Sequence, residues 1–185
     1  MEIDAKLYKE FLMGNQKSFE ELVNKYRKNL IYFIQGYVNN IDIAEDLAQD
    51  VFVYILINRK DYDFKYSMKT YLYTIARSRA LNYLKRETRI IALQENIDYQ
   101  NDSQYINQLE ELVFTNDKSE KIRKVIKRLN KNQQQLILLS DIENLRYKDI
   151  SRITGKTVTQ IKMTIYRARK NLKKILEKEG FSNGQ

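Results

Sequence analysis

Residues 156 to 170, KTVTQIKMTIYRARK, interleave hydrogen-bonding side chains with cations at helical intervals. Thr159, Gln160, Met163, Thr164 and Arg167 are the types that bond to base edges or meet a thymine methyl group. Lys156, Lys162, Arg169 and Lys170 suit the phosphates that flank such a contact. The chemistry suggested is reading of duplex DNA. Between these residues run Val158, Ile161, Ile165, Ala168, Leu172 and Ile175, at steps of three and four. That spacing predicts a helix with one buried stripe and an outer face of polar residues and cations.

Such a helix needs a defined start. Thr157 followed by Gln160 fits a capping box, in which each side chain satisfies a backbone N–H left over at the helix start. Gly155 precedes it and tolerates the left-handed backbone of a tight turn. Before the glycine, Leu145, Ile150 and Ile153 predict a short helix. Helix, turn and basic helix is helix-turn-helix geometry, in which the second helix enters the major groove N-terminus first. The same pattern also describes an ordinary two-helix corner with a solvated basic face. Gly155-Lys156-Thr157 ends like a phosphate-binding loop, but Ile150 stands where the first glycine belongs and no strand precedes it.

Composition narrows the rest. With no proline and five glycines in 185 residues, little interrupts helices, and 43% apolar residues can supply a core. An all-α fold of one or two small domains is expected. Cysteine and histidine are both absent, which excludes disulfides and thiolate metal sites and removes the usual general base. No catalytic constellation, metal site or cofactor site is expected. The longest apolar run, Val51 to Ile57, is far shorter than the roughly 20 residues a membrane-spanning helix needs, so a cytoplasmic protein is expected.

The net charge of +9 is unevenly spread. Residues 59–89 carry +6 and 119–185 carry +11, whereas 40–58 carry −4 and 90–118 carry −5. Two basic blocks, one of them on the helix-turn-helix, are the footprint of a polyanionic partner. In the first acidic block, Ile43, Leu47, Val51 and either Tyr54 or Ile55 predict one apolar face, with Asp42 as a cap. Asp46, Gln49 and Asp50 project elsewhere, as a solvated face or an interface.

Residues 59 to 89 mix cations with Tyr62, Phe64, Tyr66, Tyr71, Tyr73 and Tyr83. Aromatic faces beside cations suit single-stranded nucleic acid, although tyrosines in a core give the same pattern. Ser67 can start a helix with Tyr71, Leu72, Ile75, Ala76 and Ala80 inside and Tyr73, Arg77, Arg79 and Asn82 outside. Upstream, residues 4–14 and 18–38 predict two helices, the second capped by Ser18 and Glu21. Residues 90–118 read as an acidic linker, dividing a domain at 1–89 from one at 119–185. In the latter, Ile122, Val125, Ile126 and Leu129 predict one helix, and Leu136, Ile137, Leu139 and Ile142 another.

In this order the stretches resemble the bacterial RNA polymerase sigma factors of the extracytoplasmic-function class, over nearly the whole chain. Asp42 to Phe52 is similar to that family's core-polymerase-binding helix, Tyr71 to Arg86 to its promoter-melting helix, and Leu145 to Lys174 to its C-terminal helix-turn-helix. The resemblance implies that Asp46, Gln49, Asp50 and Phe52 contact core polymerase, a partner engaged through its beta-prime and beta subunits. It implies that Tyr62, Phe64, Lys65, Lys69, Tyr73, Arg77, Arg79 and Asn82 open the minus-10 element of promoter DNA. The recognition helix would read the minus-35 element. The resemblance also implies an anti-sigma factor as partner, and no hydrolysis by the chain itself. Tyr71, Ser78 and Asn82 depart from the family's usual tryptophan, asparagine and aspartate, and Asn130 from a usual proline.

Two other functions fit parts of the sequence. A helix-turn-helix repressor or activator with an N-terminal helical dimerisation domain explains the C-terminal block alone. A helical adaptor binding acidic surfaces explains the charge but not the capped helix.

Overall fold

The computed structural model describes residues 2–94 and 125–178. They fall in two compact units, one within residues 1–110 and one within 111–185. Among the described residues every regular element is helical, the all-α class expected.

The N-terminal unit comprises α1 (Glu2–Leu12), α2 (Gln16–Val38), α3 (Ile41–Ile57) and α4 (Met68–Gln94). α2 packs on each of the other three. Its Leu22, Tyr26, Leu30, Ile31, Phe33 and Ile34 are buried, at the intervals of one helical face. The start differs. Ser18 does not cap α2: the helix begins two residues earlier, and the buried Ser18 hydroxyl donates to Glu10 of α1 at 2.7 Å. Asp4 of α1 accepts from Tyr26 at 2.6 Å and pairs with Lys25, which tie α1 to α2. The Lys25 and Tyr26 bonds hold the Asp4 carboxyl below its usual range against the opposing pull of burial.

α3 is capped by Asn40, whose side chain accepts from the Ile43 N–H at 3.2 Å, so Asp42 sits in the first turn rather than at the cap. Its buried residues are Ala44, Ala48, Val51, Phe52 and Ile55, with Ile43 and Leu47 half-buried. The helix is thus turned from the expected stripe, its two alanines facing the core where bulkier residues were expected. α4 starts as expected from Ser67, whose Oγ accepts from the Thr70 N–H at 3.1 Å. It continues beyond Arg89 to Gln94, so residues 90–94 are helix rather than linker. The remainder of the expected linker, residues 95–118, and the start of the following helix at Ile122 lie outside the described residues.

The C-terminal unit comprises α5 (Lys131–Ile137), which runs on into a wider-wound π-helical segment (Leu138–Ile142), then α6 (Tyr147–Thr154) and α7 (Val158–Lys178). Asn130 stands where the family usually has proline. Its φ of −66° is one proline also adopts, and its side chain caps α5 by accepting from Gln133 at 3.0 Å. The wider turn leaves Leu136, Ile137, Leu138 and Leu139 all buried, four in succession, more than one face of an ordinary helix presents. Leu145 precedes α6 instead of lying on it. It is buried all the same, its N–H donating to Leu139 at 3.0 Å.

Candidate nucleic-acid interface

The turn between α6 and α7 is built by local chemistry. Gly155 takes φ 72°, in the left-handed region, and its N–H closes α6 on the Ser151 carbonyl at 2.8 Å. The Ser151 hydroxyl then donates to the Lys156 carbonyl at 2.6 Å, drawing the turn back over the helix end. Both halves of the capping box form: Thr157 N–H donates to Gln160 Oε1 at 2.9 Å, and Gln160 N–H to Thr157 Oγ1 at 3.2 Å. α7 then buries Ile161, Ile165 and Ala168, with Ile150 and Ile153 of α6 also in the core.

The outer face of α7 carries Thr159, Gln160, Lys162, Met163, Arg167 and Lys170, all exposed. Lys156 and Thr164 are half-buried, and the Thr164 hydroxyl is turned back to the Gln160 carbonyl at 2.8 Å. Tyr166, 65% exposed, stands one turn beyond Met163 on the same face. It was not singled out in the sequence, although its place three residues after Met163 and outside the stripe of Ile161, Ile165 and Ala168 was the available signal.

Arg169 does not stand free among these cations. Its Nη2 and Nε donate to the two carboxylate oxygens of Asp141, at 2.8 and 3.1 Å. This paired geometry joins α7 to the π-helical segment. The bonds from Arg169 and Ser140 hold the Asp141 carboxyl below its usual range although burial opposes them, and the carboxylate raises Arg169 in turn.

In the N-terminal unit the expected strand-binding residues separate into two groups. Phe64 (41% exposed), Lys65 and Asn82 are at the surface, and Lys69 is half-buried. Tyr73 and Tyr62, by contrast, are core. Tyr73 is 0% exposed and meets Phe33 of α2 edge-on at 4.9 Å. Tyr62 is 6% exposed, its hydroxyl donating to the Tyr66 carbonyl at 2.7 Å, and burial pushes that phenol up to about 12. Neither ring has a face free to stack on a base, so both assignments are corrected: α4 is turned so that position 73 shares its inner face with Leu72, Ala76 and Ala80.

Arg77 and Arg79 of α4 also diverge. Arg79 lies over the Tyr54 ring of α3, 5.2 Å from its centroid. Arg77 bonds to Tyr37 of α2, lowering that phenol's pKa, while burial raises it by more. The face they leave open runs along Thr74, Ser78, Leu81, Asn82 and Lys85, all exposed. Thr74 was not singled out in the sequence, where a small hydroxyl residue carries little signal, and Ser78 was noted only as a departure from the family's usual asparagine.

On α3, Asp46, Gln49 and Asp50 are exposed together. Phe52 is not with them: it is 7% exposed and its ring packs edge-on to Phe19 at 6.4 Å, so it belongs to the core rather than to a contact surface. Val53, Leu56 and Ile57 are exposed instead and extend the acidic face towards the end of the helix. Among the described residues no helix is long and apolar enough to cross a membrane.

A helical unit with an acidic exposed helix and a separate unit with a capped helix-turn-helix are the features of a helix-turn-helix DNA-binding protein. Sigma-70 region 2 matches residues 22–90, and sigma-70 region 4 matches residues 119–172. RNA polymerase sigma factor YlaC of Bacillus subtilis is 27% identical over 166 residues, which cover 90% of this chain and 96% of YlaC. The ECF RNA polymerase sigma factor SigW of the same organism is 24% identical over 178 residues, covering 92% and 95%. The sigma factor RpoE of Bartonella quintana, solved with the anti-sigma factor NepR, superimposes with a TM-score of 0.62 at 22% identity, covering 87% of this chain and 98% of that one. The chain belongs to the extracytoplasmic-function class of the sigma-70 family, whose function is promoter-specific initiation of transcription.

Proposed function

We propose that this sigma factor engages core RNA polymerase through the outer face of α3 and promoter DNA through two separate surfaces. Asp46, Gln49 and Asp50 meet a basic surface of the beta-prime subunit, and Val53 and Ile57 add apolar contact beside them. Phe64, Lys65, Lys69 and Asn82, with Thr74 and Ser78, hold the opened minus-10 strand. Arg77 and Arg79 act behind this surface, by fixing α4 against α2 and α3. Thr159, Gln160, Met163, Thr164, Tyr166 and Arg167 read the minus-35 duplex, with Lys156, Lys162 and Lys170 on phosphates. Arg169 serves mainly to anchor α7.

The observation that carries this reading is the continuous exposed face of α7, polar and cationic along its length and presented just after a capped glycine turn. Major-groove reading needs that arrangement, because the early residues meet bases while the later cations meet backbone. No reaction is catalysed by the chain, and it acts in the cytoplasm. The anti-sigma factor on RpoE supports a comparable partner here, one that covers these surfaces until released.

Binding to core polymerase, measured with the full chain and with an Asp46→Lys, Asp50→Lys variant, tests the first surface. Tight binding lost in a variant that remains folded is expected. Equal binding by both proteins would move the polymerase contact off α3.

A further inference from the structure

α1 lies outside the matched family region, which begins at residue 22, yet it holds the loop between α3 and α4. Tyr8 is wholly buried, and its hydroxyl donates to the Arg59 carbonyl at 2.9 Å, where the chain leaves α3. Its ring meets Tyr62 edge-on at 4.9 Å and Phe64 at 6.1 Å. The adjacent Lys9 brings its Nζ to 5.5 Å from the centroid of the Phe64 ring. At the far end of the loop the Tyr62 hydroxyl holds the Tyr66 carbonyl at 2.7 Å. The loop is therefore fixed at its entry, its middle and its exit, and two of those three points are supplied by α1.

We infer that Tyr8 and Lys9 are positioning residues for recognition of the unpaired promoter strand. This rests on the assignment of that strand to the loop in the proposed function. A ring that is already oriented binds a base without the entropy cost of ordering a free loop. Phe64 is such a ring. One side is packed against Tyr8 and Tyr62, the cation of Lys9 lies over it, and the remainder is open to solvent. Tyr8, being buried, can act only through the loop.

Two variants separate positioning from simple packing. Tyr8→Phe keeps the ring and loses the bond to Arg59, and Lys9→Ala changes an exposed side chain. Each full-length variant is reconstituted with core polymerase. The probe is a fork-junction DNA with a single-stranded minus-10 segment, taken from a promoter mapped by the transcripts of the wild-type holoenzyme.

Each variant is expected to weaken fork-junction binding about threefold to tenfold, the scale of one hydrogen bond or one cation–π contact. Core affinity should be unchanged in both, and the melting temperature should be unchanged in Lys9→Ala and lowered by only a few degrees in Tyr8→Phe, the scale of one hydrogen bond. Equal fork binding by wild type and both variants would overturn this inference alone. A parallel loss of core affinity would mark a merely structural role and overturn it too. Failure of the wild-type chain to bind core polymerase would remove the proposed function beneath it, a distinct result.

Discussion

Single side chains in this protein divide between those that meet a partner and those that hold another residue still, and charge alone does not separate them. Arg169 and Lys170 are adjacent cations, yet only Arg169 is engaged by Asp141. Both members of that pair are substantially exposed, so the bridge is worth no more than about 1 kcal/mol. The Asp141 carboxyl titrates lower folded than unfolded. Its stabilisation is therefore present above the unfolded value, about 3.9, and is lost as pH falls through the lower folded value. Asp141→Asn should reduce the difference between melting temperatures at neutral and strongly acid pH; an identical pH profile would contradict the pairing. Tyr73 makes the opposite case. Tyr73→Ala should cost about 3–5 kcal/mol in denaturant unfolding, as removal of a buried aromatic does. Asn82→Ala should cost less than about 0.5 kcal/mol while lowering promoter opening.

The helices show how local signals and packing share the work of positioning. The α7 start is fixed by its own residues, so Thr157→Ala should destabilise the C-terminal unit by about 1 kcal/mol, read by chemical denaturation. α3 is different, because its ends follow from capping while its rotation follows from what packs against it. Ala44 and Ala48 turn inward and Phe52 goes with them, which leaves Asp46, Gln49 and Asp50 outside with Val53 and Ile57. α1 was legible only as an amphipathic helix. That its Tyr8 reaches the carbonyl of a residue 51 positions later depends on the fold of the whole unit.

For the whole molecule, charge is organised by unit. Residues 119–185 hold +11 of the net +9, the remainder of the chain being slightly acidic in sum. Duplex binding by the full chain should therefore be strongly salt dependent. If about four phosphates are neutralised, affinity should fall roughly a hundredfold between 50 and 200 mM salt, through counterion release. Titration of a labelled minus-35 duplex at several salt concentrations measures it, and a flat response would remove the phosphate contacts from α7.

By itself the sequence determined whatever a few neighbouring residues decide. The helical class, the glycine turn, the capping box and the centre of the α7 stripe, Ile161, Ile165 and Ala168, follow from spacing within about two turns and are present in the structure, whereas Val158 at the head of the expected stripe is exposed and Leu172 and Ile175 are half-buried. It determined the family as well, since three motifs in order are a one-dimensional pattern. Only the tertiary structure decided which face of an aromatic-rich helix is inside. Tyr62, Tyr71 and Tyr73 are the same residue type within twelve positions, yet Tyr62 and Tyr73 are buried, Tyr71 is half-buried, and their partners differ. A tyrosine carries a large apolar ring and a polar hydroxyl, so it suits a core or a surface equally, and the choice falls to the helices that meet it. Helix rotation likewise put Phe52 in the core and left Tyr166 in solvent.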